Sequence, residues 1–97
     1  MGLGIADIIG DKREQILQLA QQYGVQDVRI FGSVVRGEAT EDSDVDLLVN
    51  MSNSTYFKVF DLQEDLSKLL HKKVDIVSDR GLDKYIGPYI LKEATKL

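Results

Sequence analysis

The chain has no cysteine and only one histidine. Disulfides and thiolate metal sites are therefore excluded, and the lack of cysteine fits a reducing cytosol. Long apolar runs are missing too. The longest are four or five residues, whereas a membrane span needs about 20. No basic segment followed by an apolar stretch opens the chain, so no secretory signal is read and a cytoplasmic location is expected. Basic tracts are also scarce: acids outnumber bases 16 to 12, for a net charge of −4, and no basic run exceeds Lys72-Lys73. A protein that holds a polynucleotide neutralises several phosphates with Lys and Arg. Long nucleic acid is therefore not an expected substrate. A small nucleotide is compatible, because bound cations can carry the positive charge.

What remains is an ordinary globular composition, 43% hydrophobic and 29% charged in 97 residues, which makes one domain spanning 1–97. Residues 11–23 read as an amphipathic helix, with Ile16, Leu17, Leu19, Ala20 and Tyr23 at helical spacing. Asp11 stands as its N-cap with Glu14 three residues on, and Gly24 occupies the C′ position. A shorter apolar turn over 5–9 precedes it. A strand over 28–31 runs into Gly32-Ser33, a polar stretch follows over 36–43, and a second strand covers 45–49. After a polar loop at 50–55, helical period returns over 56–70. A third strand spans 73–78, and residues 82–97 beyond Gly81 read as helix, broken or restarted at Pro88. This order predicts an α+β fold, an α/β sandwich with one small sheet packed with helices. It does not give the strand order.

Charge is unevenly placed. Glu38, Glu41, Asp42, Asp44 and Asp46 put five acids in nine residues, and like charges so close raise one another's pKa. A solvated acidic loop accounts for Glu38, Glu41 and Asp42. It does not account for Asp46, which interrupts the apolar run Val45, Leu47, Leu48, Val49, where a free carboxylate is costly. Side chains alternate along a strand, so Asp44 and Asp46 share a face with Cα atoms about 6.6 Å apart. Such a pair can converge on hard cations, and two-metal sites hold their ions ~3.5–4 Å apart. Oxygen-only ligands favour Mg²⁺ or Mn²⁺ over zinc. Asp75, set among Val74, Ile76 and Val77, is a second acid inside an apolar strand. Alone it reads equally well as an edge-strand residue facing water, but two strand acids in one small sheet can lie side by side. Gly32-Ser33 directly after a strand allows close backbone approach, with amides and a hydroxyl for phosphate oxygens. Arg36 could meet the same phosphate. By themselves these residues are also an ordinary strand-end turn.

Read together, Gly32-Ser33-Val34-Val35-Arg36-Gly37, then Ser43-Asp44-Val45-Asp46-Leu47, resemble the signature of the minimal nucleotidyltransferases of the polymerase β superfamily. That pattern is Gly-Ser, ten intervening residues and Asp-x-Asp; Asp75 matches the family's third carboxylate. The resemblance covers about 28–76, and the 82–97 tail is similar to the family's closing helices. It implies the polymerase β-like nucleotidyltransferase fold and transfer of a nucleoside monophosphate, AMP from ATP, with two Mg²⁺ ions. Gly32, Ser33 and, more loosely, Arg36 would hold the triphosphate. Asp44 and Asp46 would ligate both metals, and Asp75 would complete the catalytic one. Such domains resemble antitoxins whose partner is a helical HEPN-type toxin, a ribonuclease that the transferase silences by adding AMP to a tyrosine. Association of the chain with itself stays open.

Rival features carry less. Asp42 to Asp46 imitate half an EF-hand loop, but Leu47 and Asn53 stand where Gly and Glu are needed. Gly2 and Gly4 make no dinucleotide fingerprint. His71 reads as solvated, and Tyr56, Phe57 and Phe60 as core. Tyr85, Tyr89 and Ile90 suit either a core or a partner-facing patch. Two other functions are weighed: a non-catalytic module that neutralises a partner by contact, and a transferase with a small-molecule acceptor.

Overall fold

The computed structural model describes residues 2–51, 59–78, 84–85 and 87–97, and of Gln26 and Met51 the backbone alone. A short helix α1 (Ile5–Ile8) and a 3-10 turn (Gly10–Lys12) lead into α2 (Arg13–Gln22). Strand β1 (Val25–Phe31) ends in a second 3-10 turn (Gly32–Val34), and β2 (Val45–Met51) follows a connecting loop. Helix α3 (Val59–Leu70), β3 (Val74–Ser78), α4 (Gly87–Glu93) and the two-residue β4 (Thr95–Lys96) complete the chain. The sheet order is β3-β2-β1-β4. β2 runs antiparallel to β1 and parallel to β3, and β4 is antiparallel to β1. The sheet is thus mixed, and the predicted α+β class holds.

The alternation of β2 decides which face is which. Val45, Leu47 and Val49 are buried against Ile16 and Ala20 of α2 and against Leu62, Leu66 and Leu70 of α3. The intervening side chains, Asp46, Leu48 and Asn50, lie on the other face, as successive strand residues must. There α4 covers only part of the sheet, with Leu91 bordering the same hollow as Leu48 and Arg29. One face is therefore a packed core and the other a half-open floor.

Several boundaries differ from expectation for identifiable reasons. Asp11 caps nothing: it lies inside the 3-10 turn, and α2 begins after Lys12 with no side-chain cap. Gly10, at φ +53°, folds α1 directly into that turn. Gly24 does take the left-handed conformation expected of a C′ glycine, at φ +80°. β1 starts three residues early because a register irregularity between Val25 and Asp27 puts both Val25 and Val28 in the core, which hides the period of two. In the carboxyl-terminal segment read as helix, Pro88 sits in the first turn of α4, where a missing N–H is harmless, and β4 takes the place of the last helical turn. Phe60, expected in the core, is 78% exposed on the outer side of α3. Tyr56 and Phe57, most of the 50–55 loop, and Gly81 with Leu82 lie outside the described residues. Among the described residues no helix is long and apolar enough to cross a membrane.

Candidate active site

The central pairing of the sheet brings two acids together. Asp46 of β2 pairs in register with Asp75 of β3 and, on its other side, with Phe31 of β1. Paired residues of neighbouring strands point to the same face, so both carboxylates rise from the half-open floor, with backbones about 4.8 Å apart. The edge-strand reading of Asp75 is correct as to place, since β3 is outermost, but the residue faces Asp46. Register is fixed from outside by α3. The outward N–H of Val74 donates to Ser67 Oγ (3.0 Å), and that of Ile76 to Gln63 Oε1 (3.1 Å). The free edge of β3 is thereby bonded, and Asp75 is held opposite Asp46.

Asp44 stands just before β2. The turn that delivers it is closed by Ser43 N–H donating to Thr40 O (3.1 Å) and by Thr40 N–H donating to Ser43 Oγ (2.8 Å). Ser43 thus shapes the entry to the strand. Asp44 Oδ2 lies 4.0 Å from Lys73 Nζ. Glu38, Glu41 and Asp42 are exposed, as a solvated acidic loop requires.

Electrostatics single out Asp46. Burial pushes its carboxyl above the ordinary 3.8, and the charges of Asp75, then Asp44, push it further; Arg36 opposes them, and Glu93 adds to the rise. The two neighbouring aspartates are thus close enough to be felt. Gly32 closes the site from the β1 side. It adopts φ +84°, and a Cβ there would come 2.5 Å from Asp46 Oδ2. Only glycine leaves that carboxylate open while turning the chain. The turn that follows is closed by Val35 N–H donating to Gly32 O (3.1 Å) and Glu38 N–H donating to Ser33 O (2.9 Å). None of the bonds that close this turn is donated by the Ser33 amide, whereas Val34 is buried, at 1% exposure.

A residue that sequence reasoning did not single out completes this end. Glu93, the last residue of α4, accepts from Gly32 N–H through Oε2 (3.1 Å) and from Arg36 Nη1 through Oε1 (2.5 Å). Arg36 also donates to Glu38 Oε2 (3.0 Å). Nothing local marks Glu93, which reads as one more acid in a mixed tail. An open hollow of about 500 Å³ lies alongside, lined by Arg36, Tyr89, Lys92 and Glu93.

Whether a cation suits the cluster can be judged from the donors. They are oxygens only, on a floor that Gly32 keeps clear of a side chain. That set fits a hard divalent ion. Among the described residues no three acidic or histidine side chains yet close on one point. Uncompensated carboxylates repel, and Asp44 lies near Lys73 instead.

The matches to known proteins decide the family. Residues 12–96 fit the family model described as "Nucleotidyltransferase domain". Protein adenylyltransferase MntA of Thermococcus cleftensis is 42% identical over 77 residues, 78% of each chain. The chain belongs to the nucleotidyltransferase family. This nucleotidyltransferase also superposes on a solved structure described as a minimal nucleotidyltransferase, with TM-score 0.80 and 45% identity over 90% of each chain. A toxin–antitoxin crystal structure with AMP-PNP gives TM-score 0.70 at 21% identity, over 86% of this chain and 69% of that one, a likeness of fold. Both fold matches agree with the small mixed sheet flanked by helices found here.

Proposed function

We propose that this nucleotidyltransferase acts as one minimal domain over residues 1–97, transferring AMP from ATP to a hydroxyl of a partner protein. The favoured acceptor is a tyrosine of a HEPN-type toxin, with this chain as the antitoxin. The observation that carries the reading is the in-register pair Asp46–Asp75 beside Gly32. Two acids facing one another on an open floor are unfavourable without a cation, and the adjoining turn offers donors to an anion. The protein-adenylyltransferase relative in Thermococcus cleftensis supports a protein acceptor.

Each residue then has a task. Ser33, through its amide and hydroxyl, holds phosphate oxygens, while Gly32 lets them approach. Asp44, Asp46 and Asp75 would hold one or two Mg²⁺ ions, with Mn²⁺ as a substitute. The bound metal supplies neutralisation of the triphosphate and acidification of the acceptor hydroxyl. Asp75, at the outer strand, accepts the proton of that hydroxyl as its oxygen attacks the α-phosphorus. The new oxygen–phosphorus bond forms as the bond to the β-phosphate bridging oxygen breaks, and pyrophosphate leaves in line. Arg36 lends positive charge to the same end of the sheet. The open hollow beside Arg36 and Tyr89 gives a nucleotide room.

The decisive experiment incubates the protein with α-labelled ATP, Mg²⁺ and the product of the adjacent gene. Label on that protein, lost in Asp44→Ala plus Asp46→Ala, is the expected result. Inhibition of the partner that survives the double variant would mean neutralisation by contact. Label only on small alcohols would mean a small-molecule acceptor.

A further inference from the structure

The Glu93 contacts tie together parts of the chain that are about 60 residues apart in sequence, and the transfer reaction as described makes no use of them. The Glu93 side chain is only 24% exposed, and its carboxylate receives two donors, the Gly32 amide and the Arg36 guanidinium. Gly32 is the residue whose left-handed backbone sets the direction of the turn. Its N–H is one of the few handles by which that peptide can be fixed from outside. Arg36, gripped by Glu93 on one side and Glu38 on the other, is held at both ends of its planar group. Its charge is largely matched before any ligand arrives, and the two carboxylates keep it fully protonated.

We infer that Glu93 is a positioning residue for the phosphate-binding turn: it fixes the Gly32 peptide and the Arg36 guanidinium so that the Ser33 amide faces the nucleotide. The inference rests on the reading of that turn as the phosphate grip, and it changes the part given to Arg36. Arg36 works as a strut between the turn and α4, and the phosphate-facing backbone donor is the one next after Gly32. α4 thereby becomes part of the nucleotide site although it contributes no ligand. A charge-assisted bond to a backbone amide resists displacement, so the strap persists when nucleotide is bound.

Two variants and one amide test this. Losing the carboxylate in Glu93→Ala should raise the Kd for Mg·ATP and the KM for ATP by about tenfold or more, with kcat much less affected. Glu93→Gln keeps one oxygen for Gly32 N–H but turns an NH2 toward the Arg36 guanidinium, so its nucleotide Kd should lie between those of the parent and Glu93→Ala. A role in stability alone would lower the melting temperature of Glu93→Ala and leave nucleotide Kd unchanged, and that result overturns the inference. Tighter binding by Glu93→Ala would also overturn it, since it would make Glu93 a competitor of phosphate. Amide exchange on the parent chain keeps the question open to test if Glu93→Ala does not fold. Gly32 N–H should be protected in the free chain and remain so with Mg·AMP-PNP, while the Ser33 amide signal moves. Loss of Gly32 protection on adding nucleotide sinks the inference. A parent chain that takes up no nucleotide brings down the phosphate-grip reading and this inference together. Uptake by the parent with Glu93→Ala unchanged brings down this inference alone.

Discussion

Asp46 is held in an environment that disfavours its charge. Its folded-state pKa lies above the ordinary value, so the carboxyl favours the fold most when protonated. That contribution is complete below the unfolded pKa and is lost as pH rises through the folded one. Metal-free protein should therefore melt at a lower temperature at pH 7 than just above pH 4 in so far as Asp46 governs it. Asp46→Asn should raise the melting temperature at pH 7 without metal, with the gain fading toward pH 4, while abolishing transfer. Calorimetry across pH on both proteins checks the sign; a variant less stable at neutral pH would contradict it. Gly32→Ala should do the reverse of rescue. The left-handed backbone alone costs about 1–2 kcal/mol for a residue with a side chain. The added methyl also presses on Asp46 Oδ2, and displacement of that carboxylate should lower the transfer rate by roughly 100-fold. The Asp46 and Asp75 placements were legible in the sequence because a charge inside an apolar strand is an anomaly that needs a cause. Glu93 was not, since its partners are distant in sequence and its neighbourhood is ordinary.

Among the elements, α3 does more than cover the core. Its Ser67 and Gln63 supply the acceptors that β3, as an edge strand, lacks on its outer side. Ser67 Oγ in turn donates to Gln63 O of its own helix (2.8 Å). Ser67→Ala should cost about 1 kcal/mol, read as a melting shift of roughly 4–8 °C. Because the register of Asp75 depends on the same bonds, the variant should also bind Mg²⁺ more weakly, measured by titration. Unchanged metal affinity would show that β2 alone sets the register. The helix itself was evident from Leu62, Leu66, Leu69 and Leu70, but these bonds were not, because serine and glutamine in a helix normally signal solvent. β4 was missed for a related reason. Thr95 and Lys96 carry no alternation of their own and become a strand only because β1 offers Arg29 and Ile30 as partners.

For the molecule as a whole, the two faces of one sheet divide the tasks. The helix-covered side carries stability, and the opposite side gathers negative charge in a chain that is already at −4. Mg²⁺ with ATP should therefore raise the melting temperature in a concentration-dependent way, as any ligand of the folded state does. Chelation should remove the effect, and so should Asp44→Ala plus Asp46→Ala. A shift that persists in the double variant would place the ligand elsewhere.

The segment between Gly32 and Asp44 is also moored at a third point. Leu3 and Ala39 exchange both backbone bonds (2.6 and 3.2 Å), Ala39 is fully buried, and Gly2 fits so tightly that a Cβ would meet Gly37 O. Trimming the first four residues would leave the sheet and its two long helices in place, yet release that mooring midway along the loop. Loss of the amino-terminal residues, by proteolysis or by an ill-placed fusion, should thus yield a protein that still melts cooperatively but has a slackened grip on its nucleotide.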